Sequence, residues 1–363
     1  MADQDLGSYL PQLKKLQAIF KRCVSKENGR RILGLPIGNR NGFVFLTLLF
    51  AGLAMLAVAL FPADENRAAE DRTADATKRV SLDEIRTLRK KAAKQKRRLV
   101  VHSDGYPMTE EHRGVFEPTA PPSVFPQLAR TQTDACTYSL IHQFPVARLY
   151  RAKVAQEWPQ GIIKKMYGDG PDGLDAYIEL CRRNNFEAFW AMRVNDTHDA
   201  GDYEDARWKI ANNKLKQEHP DWLVGTQDNP PPHSRWTSVN YGQAEIRDQA
   251  FRLWEDVARR YDIDGFMFDF FRHPTLFKSA AWGEEVSDAE RESITDLMRR
   301  TRAMTDEIGA ERGRSILLSV RTPDSVGYCN GMGIQLEKWM AEDLIDIWMP
   351  GGYFRLREWS LFP

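Results

Sequence analysis

The sequence predicts an α/β protein, a (β/α)8 TIM barrel preceded by one apolar membrane helix, on three observations. From Leu99 onward, short β-rich runs alternate with amphipathic helical stretches, the pattern of a parallel sheet covered by helices. The strands end in polar clusters: His102-Ser103-Asp104, Arg193-Val194-Asn195-Asp196, Asp269 to His273, Arg321 to Asp324 and Gly351-Gly352-Tyr353. In a barrel such ends converge on one face, whereas an open sheet gathers its polar groups at a single switch point. Lastly, no glycine-rich phosphate loop follows any strand, so no nucleotide cofactor is expected.

The N-terminal elements come first. Phe43 to Phe61 is a run of 19 residues without a charge, in which Thr47 alone is clearly polar. About 20 apolar residues span a bilayer as a helix, and this run has no polar face. Residues 1–42 carry eight Lys or Arg against three acids. The positive-inside rule therefore keeps them cytoplasmic and sends the rest across. An uncleaved signal anchor at 43–61 is the preferred reading; Ala57-Val58-Ala59 offers a small-x-small cleavage site as the alternative, a secreted product. Residues 62–98 form a charged spacer. Within it Ser81-Leu82-Asp83-Glu84 has capping-box spacing and opens a Lys- and Arg-rich helix, read as solvated.

Residues 99–363 form the barrel domain. Strands are expected at 99–103, 137–144, 186–194, 265–271, 315–321 and 346–350, the second being the weakest. Helices are expected at 174–185, 245–262, 288–311 and 334–345. In the second helix, Ile246, Ala250, Leu253, Trp254 and Val257 share one face. About six strand–helix units are two short of a closed barrel. The expectation is thus an incomplete barrel, either because strands escape detection or because the chain is C-terminally truncated; completion by a partner is a third reading.

Composition narrows the function classes. Fifty-one Lys plus Arg balance 51 Asp plus Glu, so there is no basic field for a nucleic-acid backbone and no such partner is expected. Apolar residues at 42% and charged residues at 28% are globular values. Cys23, Cys136, Cys181 and Cys329 stand far apart, with neither a C-x-x-C pair nor Cys-His zinc spacing.

The chemistry is expected at the strand ends. In GFMFDFF, alternation puts Phe266, Phe268 and Phe270 on one side and Met267, Asp269 and Phe271 on the other. Asp269 then points inward at the barrel mouth, where a carboxylate serves as nucleophile, general base or anchor for sugar hydroxyls. The bland alternative is a structural Asp–Arg pair. In RVNDTHD, Asn195, Asp196, His198 and Asp199 are all capable metal ligands, yet nothing fixes a metal geometry. A hydrogen-bonding rim for a polyhydroxylated substrate is preferred, and no metal is assigned. Arg321 and Asp324 occupy the equivalent place on the fifth strand. No nucleophile elbow of a Ser-His-Asp enzyme is present.

HPDWLVG (219–225) and YGQAEIRDQAFRLWEDVARRYDIDGFMFDFFRHP (241–274) resemble the glycoside-hydrolase-like family 10. The likeness centres on Asp264, Gly265, Phe266, Asp269, Arg272 and Pro274 and extends more weakly over 99–354. It implies a carbohydrate-active (β/α)8 barrel, exported or membrane-tethered, with Asp269 at the family's strand-four Asp. It carries over no catalytic pair. Members usually continue through further strands, and this chain stops earlier.

Together these features predict an O-glycoside hydrolase on an extracytoplasmic polysaccharide, using two carboxylates. Asp269 is expected as nucleophile or base, Asp324 as the acid, with Asp196 behind it. Arg193, Asn195, Asp199, Arg272, Arg321 and Tyr353 are expected to position sugar hydroxyls. The alternatives are a carbohydrate-binding barrel without turnover and an inactive truncated product.

Overall fold

The computed structural model describes residues 31–32, 35–36, 79–103, 128–141, 144–147, 150–157, 161–201, 210 and 213–351. The apolar run 43–61, Asp104 and Tyr353 lie outside them. Among the described residues no helix is long and apolar enough to cross a membrane. The chain divides into two compact units, Met1–Ala74 and Asp75–Pro363. In the first, Arg31–Ile32 pairs antiparallel with Leu35–Pro36.

Among the described residues the second unit carries six strands: β1 (Val100–Ser103), β2 (Ala135–Ile141), β3 (Glu187–Arg193), β4 (Gly265–Asp269), β5 (Leu317–Pro323) and β6 (Ile347–Gly351). They form one sheet in sequential order, and every neighbouring pair is parallel. A doubly wound sheet reverses strand order at a switch point; this sheet does not, which is barrel-type connectivity. The sheet also curls. Val100 of the first strand and Ile347 of the last pack on the same small apolar cluster of Ala135, Phe189 and Leu317. The six expected strands are thus present, as an incomplete TIM-like barrel.

Alternation sorts the side chains into two layers. Trp190, Met192, Phe266, Phe268, Leu318 and Val320 face the helices and belong to the main core. The helices of this unit among the described residues are α1 (Leu82–Ala93), α2 (Ile162–Tyr167), α3 (Gly173–Arg183), α4 (Lys214–Glu218), α5 (Ala244–Arg260), α6 (Lys278–Trp282), α7 (Asp288–Arg312), α8 (Val326–Gly331) and α9 (Leu336–Ala341). Trp254 of α5 sits with its ring 4.2 Å from that of Phe268. The opposite parity lines the barrel interior. There Gly265 is required, because a Cβ would lie 2.5 Å from the Phe189 ring and 2.6 Å from the Leu317 carbonyl oxygen.

The N-terminal pole of the sheet is held by acids just before or at the starts of strands. Asp264 binds Arg182 and Arg314 and accepts from the Ala188 amide at 2.7 Å. Glu187 binds Arg97 and Asp134 binds Arg98. Asp346 accepts from the Leu318 amide at 2.7 Å and binds Arg302 and Arg89. Arg89 belongs to α1, the helix whose charges predict a solvated face. Its capping box forms as expected, Ser81 Oγ accepting from the Glu84 amide at 3.2 Å and Glu84 from the Ser81 amide at 2.8 Å. The helix is nevertheless docked: Ile85 and Arg89 are buried, and Arg89 meets Asp343 at 2.6 Å and Asp346 at 2.7 Å. The sequence conceals this because the partners of Arg89 lie more than two hundred residues downstream.

Candidate active site

Three strand ends form one row. Arg193 of β3 stands in register with Asp269 of β4, and Asp269 with Arg321 of β5. All three share interior parity, so the inward placement expected for Asp269 is observed. Asp269 is 2% exposed. Its Oδ1 accepts from the amides of Phe271 at 2.9 Å and Arg272 at 3.0 Å, and its Oδ2 meets Arg321 Nη1 at 3.2 Å. Every one of these partners is a donor, the pattern that suits a carboxylate acceptor. The turn after β4 thus fixes the carboxyl group, while the Arg321 guanidinium also lies 4.7 Å from the centre of the Phe271 ring.

The segment after β3 supplies a second cluster. Asp196 is fully buried. Its Oδ2 meets Arg193 Nη1 at 2.6 Å; its Oδ1 accepts from the His198 amide at 2.9 Å and lies 2.8 Å from His198 Nδ1. Burial opposes its charge, but Arg193 and His198 outweigh that and hold its pKa well below the usual carboxylate range. His198 Nε2 faces Arg272 Nη2 at 3.4 Å, and the His198 ring lies 5.0 Å edge-on from that of His273. Burial, together with His198, Arg193 and Arg272, pulls His273 down to about 3, against a weaker pull upward from Asp196. The Nδ1 of His273 is buried, with no hydrogen-bond partner among the described residues.

The other expected site residues divide. Asn195 is 1% exposed and fully occupied by backbone: it donates to the Val239 and Thr275 carbonyls at 2.8 Å each and accepts from the Val239 amide at 2.9 Å. Asp199 points into the fold, where it binds Lys216 Nζ at 2.9 Å with neither side chain exposed. Both residues build the platform and do not line the mouth as the sequence suggests. Asp324 lies one residue past β5 and is half-buried; no hydrogen bond or ion pair joins it to Asp269, Asp196 or the arginines. Arg272 contributes its amide to Asp269 and its guanidinium to His198. Tyr353 is outside the described residues.

The sequence did not single out His273 or Lys216. His273 directly follows Arg272 in the turn after β4, so its place in FRHP was the available signal. Lys216 had none, being an ordinary-looking lysine on a five-residue helix. The ligand-capable atoms of Asp196, His198 and His273 all lie within 4.8 Å of one another. Two guanidiniums, Arg193 on Asp196 and Arg272 on His198, oppose a cation there. The set suits hydroxyl recognition better than metal binding.

No family model matches the chain, and no curated protein does. Solved structures similar in part are glycoside hydrolases. A GH36 alpha-galactosidase from Geobacillus stearothermophilus is 13% identical with TM-score 0.40, over 72% of this chain and 31% of that one. An alpha-L-fucosidase from Paenibacillus thiaminolyticus is 16% identical with TM-score 0.34, over 61% and 32%. A glycoside hydrolase family 18 N-acetylglucosaminidase from Paenibacillus barengoltzii is 14% identical with TM-score 0.34, over 69% and 52%. The alignments thus span roughly a third to a half of those proteins. Each TM-score is below 0.5, so the site is read from its own geometry.

Proposed function

We propose that this chain is a glycoside hydrolase of the glycoside-hydrolase-like family 10 kind, cleaving O-glycosidic bonds of an extracytoplasmic polysaccharide. One observation carries the reading: Asp269 stands in register between Arg193 and Arg321 at the C-terminal ends of a sequentially ordered parallel sheet. That pole is where barrels of this connectivity place their chemistry. The carboxylate serves as nucleophile or base, and the flanking guanidiniums offer forked donors to sugar hydroxyls. The apolar run 43–61 serves as the signal anchor that puts the domain outside the membrane, or as a cleaved signal in a secreted product. The test is reducing-end release from a panel of polysaccharides by the wild type and by Asp269→Asn. Asparagine keeps an oxygen for the two amides of the turn and removes the charge. Undiminished hydrolysis by the variant rules the mechanism out.

A second reading is a binding barrel without turnover. It is favoured by how completely Asp269 is engaged by the two turn amides and Arg321. Glycan binding by the wild type with no new reducing ends selects it.

A further inference from the structure

Among the described residues Cys136, Cys181 and Cys329 are buried free thiols. Cys329 stands apart, its Sγ donating to the Pro323 carbonyl at 3.4 Å. Cys136 and Cys181 are 45 residues apart in sequence, yet the fold brings them face to face. Cys136 shares the parity of Tyr138 on β2, so both side chains leave the sheet toward the helices and join the main core. Cys181 follows Tyr177 by four residues on α3, so those two share one helix face.

The two tyrosines fix the register between strand and helix. Their rings lie 5.2 Å apart. The Tyr177 hydroxyl donates to the carbonyl of Cys136 itself at 2.6 Å, and lies 3.2 Å from that of Phe189. Because β2 and β3 are parallel and α3 lies between them in the chain, α3 runs back against β2. The two-residue step from Tyr138 to Cys136 covers about 6.6 Å along the strand. The four-residue step from Tyr177 to Cys181 covers about 6 Å along the helix, in the same direction. Cys181 is thereby set over Cys136, and the two thiols are in side-chain hydrogen-bonding contact. They are 1% and 0% exposed.

We propose that Cys136 and Cys181 form a disulfide that staples β2 to α3 when the chain folds in an oxidising compartment. The two thiols give up two electrons and two protons as Sγ joins Sγ. A small-molecule disulfide such as oxidised glutathione takes the electrons and leaves as two thiols carrying those protons. Both thiols are sealed in the finished core, so closure takes place while the layers assemble or open locally. The extracytoplasmic placement proposed above supplies such surroundings. The bond does not rest on the glycosidase reading: Cys136 is the second residue of β2, at the pole opposite the Asp269 row.

The experiment equilibrates the full-length protein, in detergent and mild urea, with glutathione buffers of graded redox ratio. The chain is then fully unfolded, labelled with a maleimide and digested without reduction. Cys136 and Cys181 should become protected together as the buffer turns oxidising, and their peptides should travel as one linked pair, lighter by the two lost hydrogens. Cys329 should label at every ratio. The oxidised form should melt about 8 °C above the reduced one, because a cross-link of this span restricts the unfolded chain. Cys136→Ala should abolish that difference and leave Cys181 open to label throughout. Labelling of both thiols at every ratio, a glutathione adduct on either without the linked pair, or a link from either to Cys329 would each overturn the assignment. A linked pair whose reduction leaves the melt unchanged would overturn its role as a staple.

Discussion

Lys216→Met offers the sharpest test of how the platform beneath the site is built. Lys216 Nζ donates to Asp199 at 2.9 Å and to the Asp196 carbonyl at 3.1 Å, and both side chains are fully buried. Methionine preserves most of the volume and deletes the charge. Among the described residues Asp199 then keeps only Asn213 Nδ2, at 3.4 Å. Breaking a buried pair by removing one partner costs about 3–5 kcal/mol, because the remaining charge stays uncompensated. A kcal/mol shifts Tm by ~2 °C in a domain of this size, so the melt should fall by about 6–10 °C. The double variant Lys216→Met with Asp199→Leu should recover most of the loss, as apolar replacement of buried pairs is close to neutral. Circular-dichroism melts of the two variants beside the wild type read both. A single variant that melts like the wild type would mean that Asp199 is not a structural counter-ion and belongs back among the substrate ligands.

Two further outcomes follow from packing and from proton linkage. Gly265→Ala should cost about 3 kcal/mol, the upper end for overpacking, since the added methyl meets backbone at Leu317 as well as the Phe189 ring; an unchanged urea midpoint would refute the close approach. His273 is held neutral in the fold down to about 3, against an ordinary 6.5. Below pH 6.5 the unfolded chain takes a proton that the fold refuses, so stability declines as pH falls from about 6.5 toward 3. Between pH 7 and pH 5 this amounts to about 2 kcal/mol. His273→Gln should flatten that part of the profile, and an unaltered profile would place the histidine in water.

The legible parts of this protein are those set by local periodicity. β3 and β4 are apolar runs bounded by turns, and the parity of GFMFD alone sends Asp269 inward. Its row with Arg193 and Arg321 follows from strand register, which the polar strand ends already hinted at. What stayed hidden depends on partners distant in sequence. Asn195, Asp196 and Asp199 look alike in RVNDTHD, yet one clamps Val239 and Thr275, one orients His198, and one neutralises Lys216. No spacing rule separates them. Charge likewise misplaces α1, because Arg89 is counted as a solvent residue until Asp343 and Asp346 are brought beside it. The short helices α2, α4, α6 and α8 span too few turns to show a period.

The account stands or falls on the Asp269 carboxylate. Reducing-end release from a polysaccharide that the wild type cleaves, measured for Asp269→Asn at matched melting temperature, tests it directly. Loss of a nucleophile or base predicts a fall in kcat of at least about 10²-fold. Release at the wild-type rate would contradict the account.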